Sequence, residues 1–271
     1  MKKVIVIQYI VAFILVLLFL LPVIYIILSS FKPLNELFSS VPTFIPRQFT
    51  FDNYVKAINR GDFLRYIFNS FIVATTSTLI AVMINTMAGY ALSKFKFKGK
   101  NVIMILILST IMLPLSVIMV PIFSVLKFFG LYNSLWALII PPAATPTGIF
   151  LMRQYLLTIP DEVIQSARID GAGEFRIFWS IILPNAKPAI ATLAIFSFMW
   201  RWNDYVWPLI AISSPQKYTI QLAIANFTGQ FGTDYSSILA MSAISMIPML
   251  VVFVIFQKQF VQGTAQTGMK G

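Results

Sequence analysis

Arg201 and Asp204 stand three residues apart in FMWRWNDYVWPL, with Trp200, Trp202, Asn203, Tyr205 and Trp207 around them. On a helix, that spacing sets a guanidinium and a carboxylate on one face where they can pair. A sugar pathway would use such a pair beside indole rings, through hydroxyl hydrogen bonds and ring stacking. An acid–base site would use it on a lipid-linked substrate. A structural role is equally open, as an interfacial aromatic belt with a snorkelling arginine. Trp200, Arg201, Trp202, Asn203, Asp204 and Tyr205 are therefore candidate pathway residues.

What the chain lacks narrows the chemistry. It has no Cys and no His, which removes thiol nucleophiles, disulfides, histidine-ligated metals and histidine proton transfer. No metal site is expected. No G-x-x-x-x-G-K-[ST] occurs, so the chain has no phosphate-cradling loop of its own. Energy for any work comes from elsewhere.

The elements that must position these residues are apolar. With 271 residues, 58% hydrophobic and 11% charged, and a mean hydropathy of +0.84, the composition is that of a polytopic membrane protein. Spanning the hydrocarbon takes roughly 20 helical residues. Six segments meet that length, at 4–28, 67–92, 102–129, 134–157, 189–212 and 236–260. The expected fold is an all-α integral membrane bundle of six helices forming one domain. The first segment, behind Lys2 and Lys3, exceeds a signal-peptide core of roughly 7 to 15 residues. No small-x-small cleavage site follows it, so it is expected to remain as a helix.

The formal charge of +11 points to orientation signals beside apolar runs and not to nucleic acid. On the side of the termini lie 12 of the 20 basic residues, four of them in KFKFKGK at 94–100. Both termini are expected to be cytoplasmic. Pro114, Pro121, Pro141, Pro142 and Pro146 fall in the third and fourth segments, where each removes a backbone donor. They mark either ordinary kinks or backbone that lines a cavity. In the second segment Thr75 to Thr78, Asn85, Thr86 and Gly89 suit close helix packing. The loops at 29–65 and 213–235 face the other side; the first, rich in aromatics, is expected as an interfacial cap or a docking surface.

A second stretch, IPDEVIQSARIDGAGEFRIFWSIILPNAKP at 159–188, carries four of the nine acidic residues, Asp161, Glu162, Asp170 and Glu174. Acids are poorly tolerated in lipid, so the stretch belongs in water. Pro160 and the acids after it suit the first turn of a helix of about ten residues. Gly171 suits its left-handed end. A second helical run through Phe175, Phe178, Ile181 and Ile182 is expected to stop at Pro184. Joined to the fourth and fifth segments, such an element conveys force, unless it is a surface helix without a partner.

Its spacing goes further. Gln165-Ser166-Ala167, then Gly171, then Ile181-x-Leu183-Pro184, with IDGA at 169–172, resembles the Glu-Ala-Ala...Gly...Ile-x-Leu-Pro loop of permeases of bacterial ATP-driven importers. Gln165 stands where Glu is usual and Ser166 where Ala is usual, so docking would rest on shape more than on a fixed charge. WNDYVWPL at 202–209 and the tail FVQGTAQTGMKG at 260–271 resemble the carbohydrate branch, near the maltose-type six-helix partner. The resemblance implies a type I ABC importer permease fold in a bacterial inner membrane, with loop 158–188 holding a coupling helix. Glu162, Gln165, Ser166, Ala167, Asp170, Gly171, Ala172, Leu183 and Pro184 would then couple to an ATPase.

By the same resemblance, Gln262, Gly263, Gln266 and Gly268 of the tail (261–271) would contact the ATPase pair. Phe227, Gly229 and Phe231 would meet an extracytoplasmic sugar-binding protein. The implied partners are a homologous permease subunit, two cytoplasmic ATPase subunits that hold ATP and Mg, and that binding protein; this chain would bind no cofactor. Another solute, an amino acid or a polyol phosphate, stays open because Arg201 could meet an anion. An intramembrane enzyme using Asp204 and Arg201 also stays open.

Overall fold

The computed structural model describes residues 2–59, 62–229 and 232–268, without the side chains of 2–4, 228, 229, 232 and 257–268. The helices in chain order are α1 (Lys2–Ser29), α2 (Leu34–Leu37), α3 (Asp52–Asn59), α4 (Phe63–Lys94), α5 (Lys100–Ile111), α6 (Leu115–Phe128), α7 (Trp136–Ile139) and α8 (Pro146–Leu156). There follow α9 (Asp161–Ile169), α10 (Glu174–Ile177), α11 (Leu183–Asn185), α12 (Lys187–Trp202), α13 (Val206–Ala211), α14 (Ile220–Asn226) and α15 (Tyr235–Gly268). One two-residue strand pair, β1 (Thr228–Gly229) against β2 (Gly232–Thr233), is antiparallel. Otherwise the described residues are helical or irregular.

Among the described residues, α1, α4 and the Tyr235–Phe256 part of α15 are long and apolar enough to cross a membrane as single helices. Two bent pairs raise the number to five: α5 with α6 at 107°, and Glu174–Asn185 with α12 at 80°. The segments expected at 102–129, 134–157 and 189–212 are each interrupted. At Pro114 the missing N–H and the proline's push on the preceding residue end α5 and start α6. Between α7 and α8, Pro141–Ala143 forms a tight turn and Thr145 is extended ahead of Pro146. The helix entering FMWRWNDYVWPL ends at Trp202, and α13 begins at Val206. At the other end of the chain, α15 runs past the expected limit at 260 to Gly268, a stretch with no proline after Pro248.

The chain folds as two compact units, residues 1–65 with 223–248, and residues 66–222 with 249–271. In the first, the loop after α1 is organised around two charges. Lys32, 2% exposed, donates to the carbonyl oxygen of Thr43 and lies 5.0 Å from the Tyr25 ring centre. Glu36 accepts from Thr43 Oγ1 at 2.7 Å and from the Arg47 amide at 2.9 Å. Asn53 on α3 ties the loop to the end of α1, donating to the carbonyls of Ser30 and Lys32. Rings of Phe31, Phe51 and Tyr54 pack over this junction. The loop is a folded cap with its own hydrogen bonds.

In the second unit, α4 crosses α8 closely. A Cβ on Gly89 would lie 2.7 Å from Met152 Cβ and 2.9 Å from the Arg153 amide, so only glycine permits this approach. One core cluster joins Val73, Met119, Leu126, Ala137 to Ile139, Trp207, Ala211 and Leu222. A second joins Tyr90, Met152 and Leu156 to Ile164, Ile177, Phe178 and Ile182, and from there to Ala189 and Leu193. The second cluster seats the charged stretch on the helices around it.

Candidate functional site

The stretch after α8 folds as the spacing requires. Pro160 heads α9, and Asp161 and Glu162 fill its first turn, where negative charge complements the helix dipole. At the other end Gly171 has φ +79°. Its amide donates to the Arg168 carbonyl at 3.0 Å, and that of Ala172 to the Ala167 carbonyl at 2.9 Å. This pair of bonds is a Schellman closure, and Ala167 and Ala172 both pack against the core beneath it.

Beyond it, α10 passes into a wider π turn at Phe178–Ile182 and then α11. Pro184 does not end the run, which continues to Asn185. The π turn explains why: the Leu183 amide bonds back to the Phe178 carbonyl, and this loosened winding gives the proline ring room where an α turn would clash.

One face of α9 is seated and the other is bare. Ile164 is 2% exposed and Ala167 is half-buried against the core. Glu162, Gln165 and Asp170 are exposed. Ser166 is exposed too, and its hydroxyl donates back to the Glu162 carbonyl at 2.9 Å. Leu183 is half-buried in the same core and Pro184 is exposed. Large apolar groups also face outward, with Ile169 85% and Phe175 69% exposed.

Charges fix the stretch to the end of α4. Lys94 Nζ lies 2.6 Å from Asp161 Oδ1 and also reaches the Ile159 carbonyl. This contact with Lys94, by hydrogen bond and then by charge, holds the Asp161 carboxyl below the usual carboxylate range. Arg168 Nε lies 2.6 Å from Glu174 Oε1, and Tyr90 donates to Glu174 Oε2 at 2.8 Å. Lys94, Lys96, Asp161, Gln165 and Arg168 line a cleft of about 460 Å³ between them. Tyr90 was not legible as a site residue. Its signal is faint: it stands four residues before Lys94 at the end of a long helix.

Arg201 and Asp204 act on each other through their charges but make no hydrogen bond to one another. Because α12 ends at Trp202, Asp204 lies past the helix and the i, i+3 geometry does not apply. Asp204 instead accepts from the Trp207 amide at the start of α13, at 3.3 Å. Arg201 donates to Ser77 Oγ at 3.1 Å and to the Pro142 carbonyl at 2.9 Å. Among the described residues no ion pair joins Arg201 to Asp204. Trp202 is buried and stacked on Phe198, with 5.8 Å between ring centres. Trp200, Asn203 and Tyr205 are exposed.

Arg201 shares its task with Asn85, which is fully buried. Asn85 Oδ1 accepts from the Thr145 amide at 2.9 Å, and Nδ2 donates to the Ala81 carbonyl and, at 3.5 Å, to that of Ala143. Together the two side chains satisfy the backbone exposed by the break between α7 and α8. Such satisfaction is what non-helical backbone at membrane depth requires.

Of the other expected site residues, Phe227 is half-buried and Gly229 lies in β1. Phe231 lies outside the described residues. Gln262, Gly263, Gln266 and Gly268 lie on α15 by their backbone.

Residues 81–266 match the family model described as binding-protein-dependent transport system inner membrane component. The chain is 33% identical over 258 residues to the arabinooligosaccharides transport system permease protein AraQ of Bacillus subtilis (strain 168), covering 94% of this chain and 92% of the relative. It is 32% identical over 256 residues to the sn-glycerol-3-phosphate transport system permease protein UgpE of Yersinia pestis bv. Antiqua (strain Antiqua), covering 92% and 91%. A chain of a solved bacterial ABC transporter involved in import of the acidic polysaccharide alginate shares the fold, with a TM-score of 0.84, 24% identity and coverage of 95% and 96%. The match spans the seated loop, the broken helix and α12 alike, so the chain belongs to the binding-protein-dependent transport family of inner membrane components, as a multi-pass permease subunit and not an enzyme.

Proposed function

We propose that this permease is half of the translocation pathway of an ATP-driven sugar importer that takes oligosaccharides from a binding protein. A homologous permease would supply the other half, and two cytoplasmic ATPase subunits would hold ATP and Mg. In this reading the membrane is crossed six times, with both termini cytoplasmic. The third crossing is bent, the fourth is broken between α7 and α8, and the fifth between α12 and α13. Loop 158–188 docks the ATPase through α9, the end of α15 reaches the ATPase pair, and the loop around Phe227 and Gly229 meets the binding protein.

The observation that carries this reading is the two-sided construction of the loop. Ile164, Ile177, Phe178 and Ile182 bind it to the helices, while Ile169 and Phe175 stay bare for a partner. The cysteine-free chain allows a clean test. In the assembled complex, Ile169→Cys should cross-link to an ATPase subunit carrying a cysteine in its permease-facing cleft, and the cross-link should block uptake. Unimpaired uptake by Ile169→Cys carrying a bulky thiol reagent would refute docking at this face.

A polyol phosphate is the second reading, favoured by the likeness to an sn-glycerol-3-phosphate permease. The direction of Arg201, toward Ser77 and Pro142, speaks for the neutral sugar. Uptake assays with purified binding protein and each solute separate the two.

A further inference from the structure

The loop has a third attachment besides the two helices that continue into it. Its start is held where Lys94 meets Asp161 and the Ile159 carbonyl. Its middle is held where Tyr90 meets Glu174, which in turn binds Arg168 on α9. Both contacts come from the last two turns of α4. Lys94 and Tyr90 lie four residues apart, so they share a helix face. The Lys94 side chain is only 4% exposed and Tyr90 is 5% exposed, so neither is a loose surface contact. Tyr90 also packs on Phe95 and Phe178, with ring centres at 5.3 and 6.0 Å.

We infer that Tyr90 and Lys94 are positioning residues for coupling, making the end of α4 move as one body with the loop and not only α8 and α12. The inference rests on the proposed docking of that loop to an ATPase. Its physical content is a route into the membrane. Further along α4, Asn85 holds the Thr145 amide and Ser77 holds Arg201. A displacement of the loop therefore reaches the break between α7 and α8 through α4 as well as along the chain.

Lys96, just past α4, and Arg176, on α10, are both exposed, and neither is among the docking residues. In the assembled complex, spin labels on Lys96→Cys and Arg176→Cys should give a narrow distance distribution that is the same without nucleotide and after vanadate trapping. Adding Lys94→Met should broaden it and raise severalfold the ATP hydrolysed per solute transported; Lys94→Arg should restore both. Tyr90→Phe, which removes only a hydroxyl, gives a milder version of the same change and guards against misfolding.

A labelled distance that shifts on trapping overturns the inference. So does Lys94→Met with both distribution and ratio unchanged. If the parent complex shows no stimulation by binding protein, docking has failed instead, and the nucleotide-free distributions of parent and Lys94→Met still decide the attachment.

Discussion

Arg201 on α12 donates to the backbone carbonyl of Pro142, 59 residues earlier, at 2.9 Å. The bond ties the residue best suited by type to meet a solute to the break between α7 and α8. Removing it should act on architecture first. A hydrogen bond from a charged group contributes about 1.5–3 kcal/mol, so Arg201→Gln should lower thermal stability in detergent and reduce uptake for every solute tried. Arg201→Lys should not restore it, because one ammonium cannot span Ser77 and Pro142 as the planar fork does. A change in solute preference without loss of stability would return Arg201 to the pathway.

Gly89 is predicted to be intolerant. A side chain there meets Met152 and the Arg153 backbone under 3 Å, and overpacking typically costs about 1–3 kcal/mol. Gly89→Val should lower the unfolding temperature of the purified protein, where Gly99→Val, with nothing within 4 Å of its Cβ, is affected only through its left-handed φ.

Ile164 and Ile169 lie on the same short helix and should separate stability from coupling. Ile164→Ala opens a cavity in the core under the loop, at about 2–5 kcal/mol, and should destabilise the isolated permease. Ile169→Ala, at an exposed position, should stay within about 0.5 kcal/mol yet weaken binding-protein-stimulated ATP hydrolysis. Thermal unfolding and stimulated hydrolysis on the same two variants check both.

The Asp161 contact sets a pH dependence. Lys94 lowers the folded-state pKa of Asp161, so the stabilisation is complete above the unfolded carboxylate value, about 3.9, and disappears as pH falls through the lower folded value. Amide protection factors in residues 159–164, corrected for intrinsic exchange, should hold steady from pH 7 to about 5 and fall only below about 4. Asp161→Asn should show the lower protection throughout; because the carboxylate is exposed, the loss should be at most about 1 kcal/mol.

Much of the loop was legible because its signals are local. Pro160, the acids behind it and Gly171 each fix a few dihedral angles whatever surrounds them, and α9 with its Schellman closure follows. Pro184 misled because its effect depends on the winding before it, and the π turn at Phe178–Ile182 leaves no mark in residue types. The Arg201 and Asp204 pairing failed for a related reason. Spacing implies a shared face only while the helix lasts, and α12 ends between them. The partners found instead, Ser77 and Pro142, are more than 50 residues away in sequence. The attachment of Tyr90 to Glu174 is equally non-local, so nothing in either neighbourhood announces it.

The central claim, that loop 158–188 is the surface through which an ATPase drives this permease, is tested most directly at Gly171. A Cβ there meets nothing within 4 Å, so a side chain starts into open space on the permease itself. The left-handed backbone itself costs a non-glycine residue about 1–2 kcal/mol, least for Asn. Stimulated ATP hydrolysis and sugar uptake should both survive in Gly171→Asn and both collapse in Gly171→Trp, with each variant still inserted in the membrane. Normal stimulated turnover in Gly171→Trp would contradict the account.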